Sequence, residues 1–429
     1  MSPQPIYRWV CLGLLFFSGL LAFFTRLAPA VAIPDLQRAF SLDAVDLGAL
    51  TALYLWPFAL MQPIAGALVD TFGARRTVTV FLVIAGTGQV LFAAAPSFPV
   101  ALLGRALSGL GAATLYVGAA KIMMRWFRRS EFGTLTGAWT SVANLGGLTA
   151  AGPLAASIAL VGWRVSLGTV GITVLVTALL VFVFLRDAPG ELELPAPADI
   201  DDRTEGAGVA GVGPTLSIWQ GVFLVLQTPN IWLLGGYAFL LFGTMTMMQG
   251  LWAVPYLMDS YGYTQQQAAN MLTLWAVGLI AGCTLWGFVA ENIATSRKAV
   301  VLGGAIVYGL LWTVLAIWPA GLPESALWLA MFWGGFFAST WIPSYAQLRD
   351  SVPPDVVATA MGLLNLFFWV GGAAYQHISG LILARVPPVE GHIPVVAYQM
   401  LFWFSLASVA FSVVLVAFSE EHRKTAAGQ

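Results

Sequence analysis

The sequence contains few charged residues. Its 429 residues hold 19 lysines and arginines, 20 aspartates and glutamates and 3 histidines, so charged side chains make up 9% of the chain, against about 25% in soluble proteins. The net charge is −1 and no basic run is present, which argues against binding to nucleic acid. With 59% hydrophobic residues, a water-soluble globule is excluded, and the lipid bilayer is the expected partner.

Cysteine and histidine are also scarce. Cys11 and Cys283 lie in separate apolar stretches, so neither a disulfide framework nor a metal cluster is expected. His377, His392 and His422 are dispersed, and no glycine-rich nucleotide loop follows a predicted strand. An enzyme is therefore not expected, and neither is a cofactor or a metal site.

Long apolar runs dominate the sequence instead. A helix needs about 20 apolar residues to cross the hydrocarbon core, and the runs lack the alternation of barrel strands. Polar, proline and glycine residues separate twelve predicted transmembrane helices, at 9–33, 47–69, 77–95, 98–123, 134–160, 164–185, 231–258, 266–290, 299–319, 325–347, 357–384 and 395–418. The predicted fold class is an all-α membrane protein.

These helices divide the chain into four parts. Residues 1–185 are expected to form an N-terminal six-helix bundle, 186–229 a cytoplasmic linker, 230–419 a C-terminal six-helix bundle and 420–429 a cytoplasmic tail. The linker holds seven of the 20 carboxylates and several prolines and glycines, which is typical of a flexible tether. Near its end, residues 216–226 predict a short amphipathic helix, with Trp219 and Phe223 four residues apart.

The distribution of lysine and arginine predicts the orientation. With both termini in the cytoplasm, 14 of the 19 basic residues lie in cytoplasmic segments, as the positive-inside rule requires. Arg38, Arg164 and Arg385 lie near outer loops or helix ends, whereas Arg26 and Arg105 lie within predicted spans.

An internal repeat relates the two sets of helices. A shift of 221 residues matches a glycine, an acid and an arginine, and a shift of 225 matches a threonine and three glycines: Gly66, Asp70 and Arg76 with Gly287, Glu291 and Arg297, then Thr134, Gly137, Gly146 and Gly147 with Thr359, Gly362, Gly371 and Gly372. Such a duplication predicts two pseudo-symmetric six-helix bundles with a substrate site near the membrane midplane.

The segment from Gly66 to Arg76, Gly-Ala-Leu-Val-Asp-Thr-Phe-Gly-Ala-Arg-Arg, resembles the loop 2–3 signature of the major facilitator superfamily. The segments 105–111, 126–127 and 162–164 are similar to further patterns of that family, and the resemblance covers the whole chain. It implies a secondary transporter of small solutes, a symporter or antiporter that works by alternating access in a bacterial inner membrane. The glycine pattern of its antiporters is present only in part, because Ala156 and Ser157 follow Gly152-Pro153.

The charged residues of this signature are candidates for a gate. The resemblance implies that Asp70, Arg75 and Arg76, with Glu291 and Arg297 in the second half, join the inner ends of neighbouring helices in one transport state. Semi-exposed ion pairs of about 0–1 kcal/mol each would suit a latch that breaks in every cycle. The alternative is that these charges only anchor the loops.

Arg26 and Arg105 are the unusual charges of the predicted spans. Both lie roughly 10 Å below the outer ends of their helices, and no carboxylate lies inside a span to neutralise them. Burying an arginine without a partner costs at least about 2.5–3.5 kcal/mol. A small organic anion, such as a carboxylate, is therefore the expected ligand. The alternative is that Arg26 extends to the interface and helix carbonyls satisfy Arg105.

Helical spacing adds further candidates for substrate binding. Tyr116 shares a predicted helix face with Arg105, Gln249 is the repeat equivalent of Arg26, and Trp252 and Trp341 are candidate walls. Asn144 and Asn365 are further polar candidates. Coupling to protons or sodium, uniport and exchange stay open, and a monomer is expected. The alternative functions are proton-coupled efflux of lipophilic drugs and a non-transporting receptor or assembly factor.

Overall fold

The computed structural model describes residues 4–192, 194, 218–294, 296–353 and 356–421. These residues are mostly helical, and the part of the chain that they cover contains no β-strand beyond an isolated bridge between Val389 and His392. The predicted all-α class is confirmed. The chain divides into two compact units, the first comprising Met1–Ser41 and Leu53–Ala210, the second Leu42–Ala52 and Gly211–Gln429. The second unit thus includes the start of the second helix.

Within the described residues, seven α-helices precede the linker: α1 (Gln4–Phe40), α2 (Ala44–Phe72), α3 (Ala74–Ala94), α4 (Phe98–Ala112), α5 (Leu115–Trp126), α6 (Arg129–Thr149) and α7 (Gly152–Phe184). Gly162 breaks α7 with φ 79° and ψ 160°, a left-handed region that favours glycine. The hydroxyls of Ser157 and Ser166 lie 2.8 Å apart across this break, whereas nine residues of straight helix would span about 13 Å. The chain therefore reverses at Gly162.

From residue 218 onward, the described part of the chain contains nine more α-helices: α8 (Ile218–Leu226), α9 (Pro229–Met247), α10 (Ala253–Tyr261), α11 (Gln265–Phe288), α12 (Arg297–Ile317), α13 (Glu324–Ala338), α14 (Ile342–Arg349), α15 (Val357–Leu383) and α16 (Val395–Phe418). Segments of π-helix, Met248–Trp252 and Val289–Ile293, follow α9 and α11. Helix α8 matches the predicted amphipathic segment, and its Phe223 is 65% exposed. The side chain of Trp219 lies outside the described part of the chain.

The helices account for twelve crossings. Eleven helical stretches of the described chain are long and apolar enough to span a membrane. One of them, Gly152–Phe184, contains the reversal at Gly162, so its first part continues α6 as the fifth crossing and its second part is the sixth. Each of the twelve predicted spans therefore corresponds to a helical crossing.

Two crossings are interrupted along their length. The fourth breaks between α4 and α5 at Ala113–Thr114, and the tenth breaks between α13 and α14 at a 3₁₀ turn, Ser339–Trp341. Pro153 and Pro343 lie in the first turns of α7 and α14. A proline in a first turn costs no intrahelical hydrogen bond, so these prolines restart helices rather than bend them.

Glycines bring the helices of each unit into close contact. A Cβ atom at Gly109 would overlap the carbonyl of Tyr54, and one at Gly335 would overlap the carbonyl of Trp275. Gly109 and Gly335 are 226 residues apart, close to the offset of the sequence repeat. The same pairing of second and fourth helices therefore recurs in both units. Each unit encloses its own core, with Trp126 buried in the first and Trp312 in the second.

Candidate functional site

Arg105 is a buried cation of the first unit. Its side chain is only 1% exposed, Nη1 donates to the carbonyl of Thr25 at 2.8 Å, and Nη2 donates to that of Arg26 at 3.4 Å. The guanidinium lies 4.7 Å from the ring centroid of Tyr54 and 5.6 Å from that of Phe92. Carbonyl oxygens and aromatic faces therefore surround this charge. This environment favours a structural role for Arg105 over direct contact with a ligand.

A proline in α1 makes the main bond of Arg105 possible. Pro29 lies inside α1 and has no N–H to donate to the carbonyl four residues earlier, which belongs to Thr25. That carbonyl is the one that Arg105 takes. The hydroxyl of Tyr54 also donates to the carbonyl of Ala22 at 3.0 Å. The segment from Ala22 to Arg26 is thus held from α2 and α4.

Arg26 is placed by this arrangement. Its backbone carbonyl accepts from Arg105, its side chain is half-buried, and its guanidinium lies 4.4 Å from the ring centroid of Phe23. A cation over an aromatic face keeps its charge while losing part of its water. The two arginines that the sequence singled out therefore meet, but through the backbone of one and the side chain of the other.

Tyr116 does not share a buried face with Arg105. The spacing argument assumed one continuous fourth helix, but the break at Ala113–Thr114 intervenes. Tyr116 is 45% exposed, and its ring centroid lies 5.1 Å from that of Trp139 on α6. It is an accessible aromatic residue of the first unit.

Gln249 lies in the π-helical segment that follows α9. It is 4% exposed, and within the described chain no donor reaches its Oε1 atom. Gln376 on α15 has the same property at its own Oε1, although its Nε2 donates to the carbonyl of Thr246 at 3.4 Å. Single turns of π-helix often occur at functional sites. Among the described residues of the second unit, Gln249 and Gln376 thus each have a buried amide oxygen that lacks a donor, as does Gln347.

The two tryptophan candidates differ in position. Trp252 is fully buried, and its Nε1 donates to Ser379 Oγ at 2.7 Å, so it belongs to the core of the second unit rather than to an accessible wall. Trp341 is half-buried, and its ring centroid lies 5.1 Å from that of Phe368. Its Nε1 has no acceptor among the described residues. With an offset of 225, Trp341 is the repeat equivalent of Tyr116.

Sequence reasoning missed the partners of Asn365. Asn365 Oδ1 accepts from the hydroxyl of Tyr345 and from Trp369 Nε1, each at 3.1 Å. Trp369 follows Asn365 by four residues on α15, a helical spacing that the sequence does contain. Tyr345 lies on α14, and only tertiary structure brings it to Asn365.

The predicted gate residues of the first unit line a cleft of about 410 Å³. Lys121 Nζ lies 3.0 Å from Asp70 Oδ1 and donates to the carbonyl of Val69 at 2.7 Å. Arg75 Nε donates to the carbonyl of Phe182 at 2.8 Å. Arg76 also lines the cleft and is exposed. Asp70 and Arg75 therefore join the ends of different helices within the first unit.

In each unit, an acidic residue after the sixth crossing (α7 or α16) accepts a hydrogen bond from the start of the third crossing (α3 or α12). Asp187 Oδ1 accepts from the backbone N–H of Arg75 at 2.9 Å, and Glu421 Oε1 accepts from that of Arg297 at 2.5 Å. Carboxylates at helix N-termini are favoured by the helix dipole. Arg297 also pairs with Asp350. The side chain of Glu291 lies outside the described part of the chain.

Comparison with known proteins identifies relatives along the whole chain. A family model described as Major Facilitator Superfamily matches residues 15–254 and 234–428. The hexuronate transporter of Bacillus subtilis is 25% identical over 406 residues, which cover 92% of this chain and 93% of that protein. The probable sulfoacetate transporter SauU of Cupriavidus necator is 23% identical over 390 residues, 90% and 89% of the two chains.

Solved structures show the same fold. A bacterial homologue of the human lysosomal transporter Spinster, crystallised in an inward-facing and unoccupied conformation, matches with a TM-score of 0.77 at 18% sequence identity. The match covers 98% of this chain and 97% of that one.

Proposed function

Because this chain belongs to the major facilitator superfamily, whose members are transporters and not enzymes, we propose that it carries a small organic anion across the membrane by alternating access. It is a multi-pass membrane protein and a secondary transporter of that family. The organic anion, the orientation and the residues that bind the solute belong to the proposal.

The observation that carries the proposal is the arrangement of Arg105 and Arg26. Residues 9–33 and 98–123 contain these two arginines and no aspartate or glutamate. Carbonyl oxygens and rings surround Arg105, and no carboxylate of the described residues pairs with it. The segment that carries Arg26 is fixed from two helices. A guanidinium held in this way suits a carboxylate or another oxyanion, which it can bind with two parallel hydrogen bonds.

We assign different roles to the candidate residues. Arg26 contacts the anion, and Arg105 is a positioning residue that acts through the backbone of α1. Tyr116 and Trp341 supply accessible aromatic surface in their own units, and Gln249 supplies a polar contact in the second. Trp252 is left out, since it is fully buried and already hydrogen-bonded.

The names of the relatives support an anionic solute. Those relatives are named for hexuronate and sulfoacetate, which are both organic anions. Export of lipophilic cationic drugs is disfavoured, because two arginines would repel a cation. We further propose a monomer in the bacterial inner membrane, with both termini in the cytoplasm and with a proton or sodium ion as the coupling ion.

Asp70, Arg75 and Arg76, with Glu291 and Arg297 in the second unit, are proposed to gate transport. The ion pair of Asp70 with Lys121 and that of Arg297 with Asp350 support this role, since both join separate helices near their ends.

The test is uptake into proteoliposomes by the purified full chain. D-galacturonate, sulfoacetate, glucose 6-phosphate, an amino acid and a lipophilic cation are compared, with imposed proton or sodium gradients. We expect uptake of at least one organic anion. Arg26→Gln should lower it about 10- to 100-fold, the worth of a charged hydrogen-bonded contact, with an unchanged melting temperature. Arg105→Gln should lower the melting temperature as well.

Arg38→Gln is the matched control. Arg38 is exposed and pairs with Asp35 on its own helix. Its loss should leave the uptake rate unchanged and should change the free energy of unfolding by no more than about 1 kcal/mol. Uptake of the lipophilic cation alone would support drug efflux, and binding without uptake would support a receptor. Either result would contradict the proposal.

A further inference from the structure

Five aromatic residues of the second unit form a cluster, and two of them donate hydrogen bonds to Asn365. This aromatic cluster consists of Phe242, Trp341, Tyr345, Phe368 and Trp369, from α9, the 3₁₀ turn, α14 and α15. Neighbouring ring centroids lie 5.1 to 6.0 Å apart, for example 5.2 Å between Phe242 and Trp369 and 5.8 Å between Trp341 and Tyr345. None of these side chains, nor that of Asn365, is charged at neutral pH.

The hydrogen bonds of Asn365 fix the direction of its amide. An indole N–H can only donate, and Trp369 Nε1 points at the side chain of Asn365 at 3.1 Å. The atom at that position must therefore be the amide oxygen, which the hydroxyl of Tyr345 also reaches at 3.1 Å. The assignment of oxygen and nitrogen, often ambiguous for an amide, is settled here by chemistry.

The amide nitrogen of Asn365 is thereby left to donate elsewhere. No residue in the described part of the chain accepts a hydrogen bond from its Nδ2, and the residue is half-buried rather than sealed. Trp341 Nε1, in the same cluster, is a second donor that has no acceptor among the described residues. The indole N–H of Trp341 is buried, and a buried donor without an acceptor costs about 1–3 kcal/mol. A ligand oxygen that accepts from it would recover that loss.

The chemistry of the cluster restricts the kind of oxygen that it suits. A bare carboxylate or sulfonate is better matched by an arginine or a lysine, and the cluster has neither. Neutral N–H donors beside aromatic faces suit an uncharged oxygen on a carbon frame, such as a hydroxyl or carbonyl group. Aromatic rings offer apolar surface for the C–H side of that frame.

We propose that the aromatic cluster and Asn365 bind an uncharged hydroxyl or carbonyl oxygen of the transported solute. This inference rests on the proposed function, and it narrows the substrate to hydroxylated or oxo organic acids, such as sugar acids. Asn365 and Trp341 donate to the solute, while Tyr345 and Trp369 are positioning residues that orient the amide. A simple carboxylate or sulfonate without further oxygens gains nothing from this site.

The experiment compares two anions in proteoliposome uptake by the full chain. D-galacturonate carries several hydroxyl groups, whereas sulfoacetate carries none. Asn365→Ala should raise the half-saturating concentration of D-galacturonate about twofold to tenfold, the effect of one hydrogen bond. If the wild type binds sulfoacetate, the concentration of sulfoacetate that halves D-galacturonate uptake should change less than twofold in this variant. Tyr345→Phe should also raise the half-saturating concentration of D-galacturonate, because the amide of Asn365 loses a hydrogen bond that orients it.

Two further variants separate binding from folding. Asn365→Asp keeps oxygens that accept from Tyr345 and Trp369, removes the amide N–H groups and adds a negative charge. The charge repels both anions, whereas the loss of the N–H groups weakens binding of D-galacturonate further, so the proposed role requires the larger loss for D-galacturonate. Asn270→Ala is the control, since Asn270 is exposed and its Oδ1 accepts from Gln266 Nε2 on its own helix at 2.9 Å. This variant should take up both anions as the wild type does.

The outcomes distinguish this inference from the proposed function. A selective loss of D-galacturonate in Asn365→Ala and a larger loss for D-galacturonate than for sulfoacetate in Asn365→Asp, with unchanged melting temperatures, would support it. Equal changes for both anions, full activity of Asn365→Asp, or a wild type that takes up sulfoacetate but not D-galacturonate would overturn it and leave organic-anion transport standing. A wild type that takes up neither these two anions nor glucose 6-phosphate would overturn both.

Discussion

Pro29 and Arg105 show how single residues settle the environment of a buried charge. The missing N–H of Pro29 leaves the carbonyl of Thr25 without its helical donor, and Arg105 supplies a donor from α4. Arg105 thereby avoids part of the cost of burial, and α1 keeps a hydrogen-bonded backbone at a proline. The resulting contact also fixes the position of Arg26. One interruption in a helix ladder is thus used to place a candidate ligand-binding side chain.

The ion pair of Asp70 and Lys121 gives the prediction at this scale. Its atoms lie 3.0 Å apart, and the side chain of Asp70 is 78% exposed, so Asp70→Asn should change stability by no more than about 1 kcal/mol. If the pair stabilises one transport state, losing it shifts the conformational equilibrium by up to about fivefold. We expect a slower initial rate of uptake at an unchanged melting temperature.

Asp43→Asn is the control for this variant. Asp43 Oδ1 accepts from the backbone N–H of Asp46 at 2.8 Å, and asparagine caps a helix as well as aspartate does. Uptake by Asp43→Asn should match the wild type. An equal rate for Asp70→Asn and the wild type would show that Asp70 only anchors its loop.

At the scale of elements, the two units use repeated glycines to pack corresponding helices. A Cβ atom at Gly146 on α6 would overlap the carbonyl of Leu20 on α1. A Cβ atom at Gly371 on α15 would overlap the carbonyl of Phe239 on α9. Close approach through small residues is how membrane helices gain packing contacts. The glycines matched at an offset of 225 therefore occupy corresponding contacts, which explains why the sequence repeat survives at these positions.

Four alanine variants test this packing. Gly146→Ala and Gly371→Ala should each destabilise the protein by about 1–3 kcal/mol, because backbone atoms must move. Gly137→Ala and Gly362→Ala, on the same two helices and also related by 225 residues, meet nothing within 4 Å, and they should be neutral or stabilise by up to about 1 kcal/mol. Thermal unfolding in detergent measures all four. If the two alanine variants on one helix lowered the melting temperature equally, the contacts of Gly146 and Gly371 would not determine the packing.

At the scale of the whole molecule, charge sets the direction of insertion. The membrane interior holds few charged side chains, and 14 of the 19 basic residues belong to one side if both termini are cytoplasmic. Glu390 lies between α15 and α16, and Arg125 lies near the end of α5; both are exposed. The proposed orientation places them on opposite sides of the membrane.

Labelling with an impermeant maleimide tests the orientation. In a background with Cys11→Ala and Cys283→Ala, Glu390→Cys should react in intact cells. Arg125→Cys should react only after the membrane is opened. The reverse pattern would invert the topology and would place the candidate gate on the outer side.

The sequence by itself determined the class of the protein. Hydropathy and helix length predicted twelve helical crossings, since a chain in lipid must satisfy its backbone hydrogen bonds internally. The described chain has eleven helical stretches that could span a membrane, and one of them turns back at Gly162. The repeat and the segment from Gly66 to Arg76 led to the family, which the family model confirms. Arg26 and Arg105 stood out because charge inside a span is rare.

Tertiary structure decided what each of these residues contacts. Helical spacing paired Tyr116 with Arg105, but a break in the fourth crossing separates an exposed ring from a buried cation. Trp252 and Trp341 are both apolar-span tryptophans in the sequence. The indole N–H of Trp252 donates to Ser379 in the core, whereas that of Trp341 has no acceptor among the described residues. The amide direction of Asn365 depends on Tyr345, from another helix. Sequence periodicity describes one helix at a time, whereas burial and hydrogen bonding depend on which neighbour arrives, and only the packed chain specifies that.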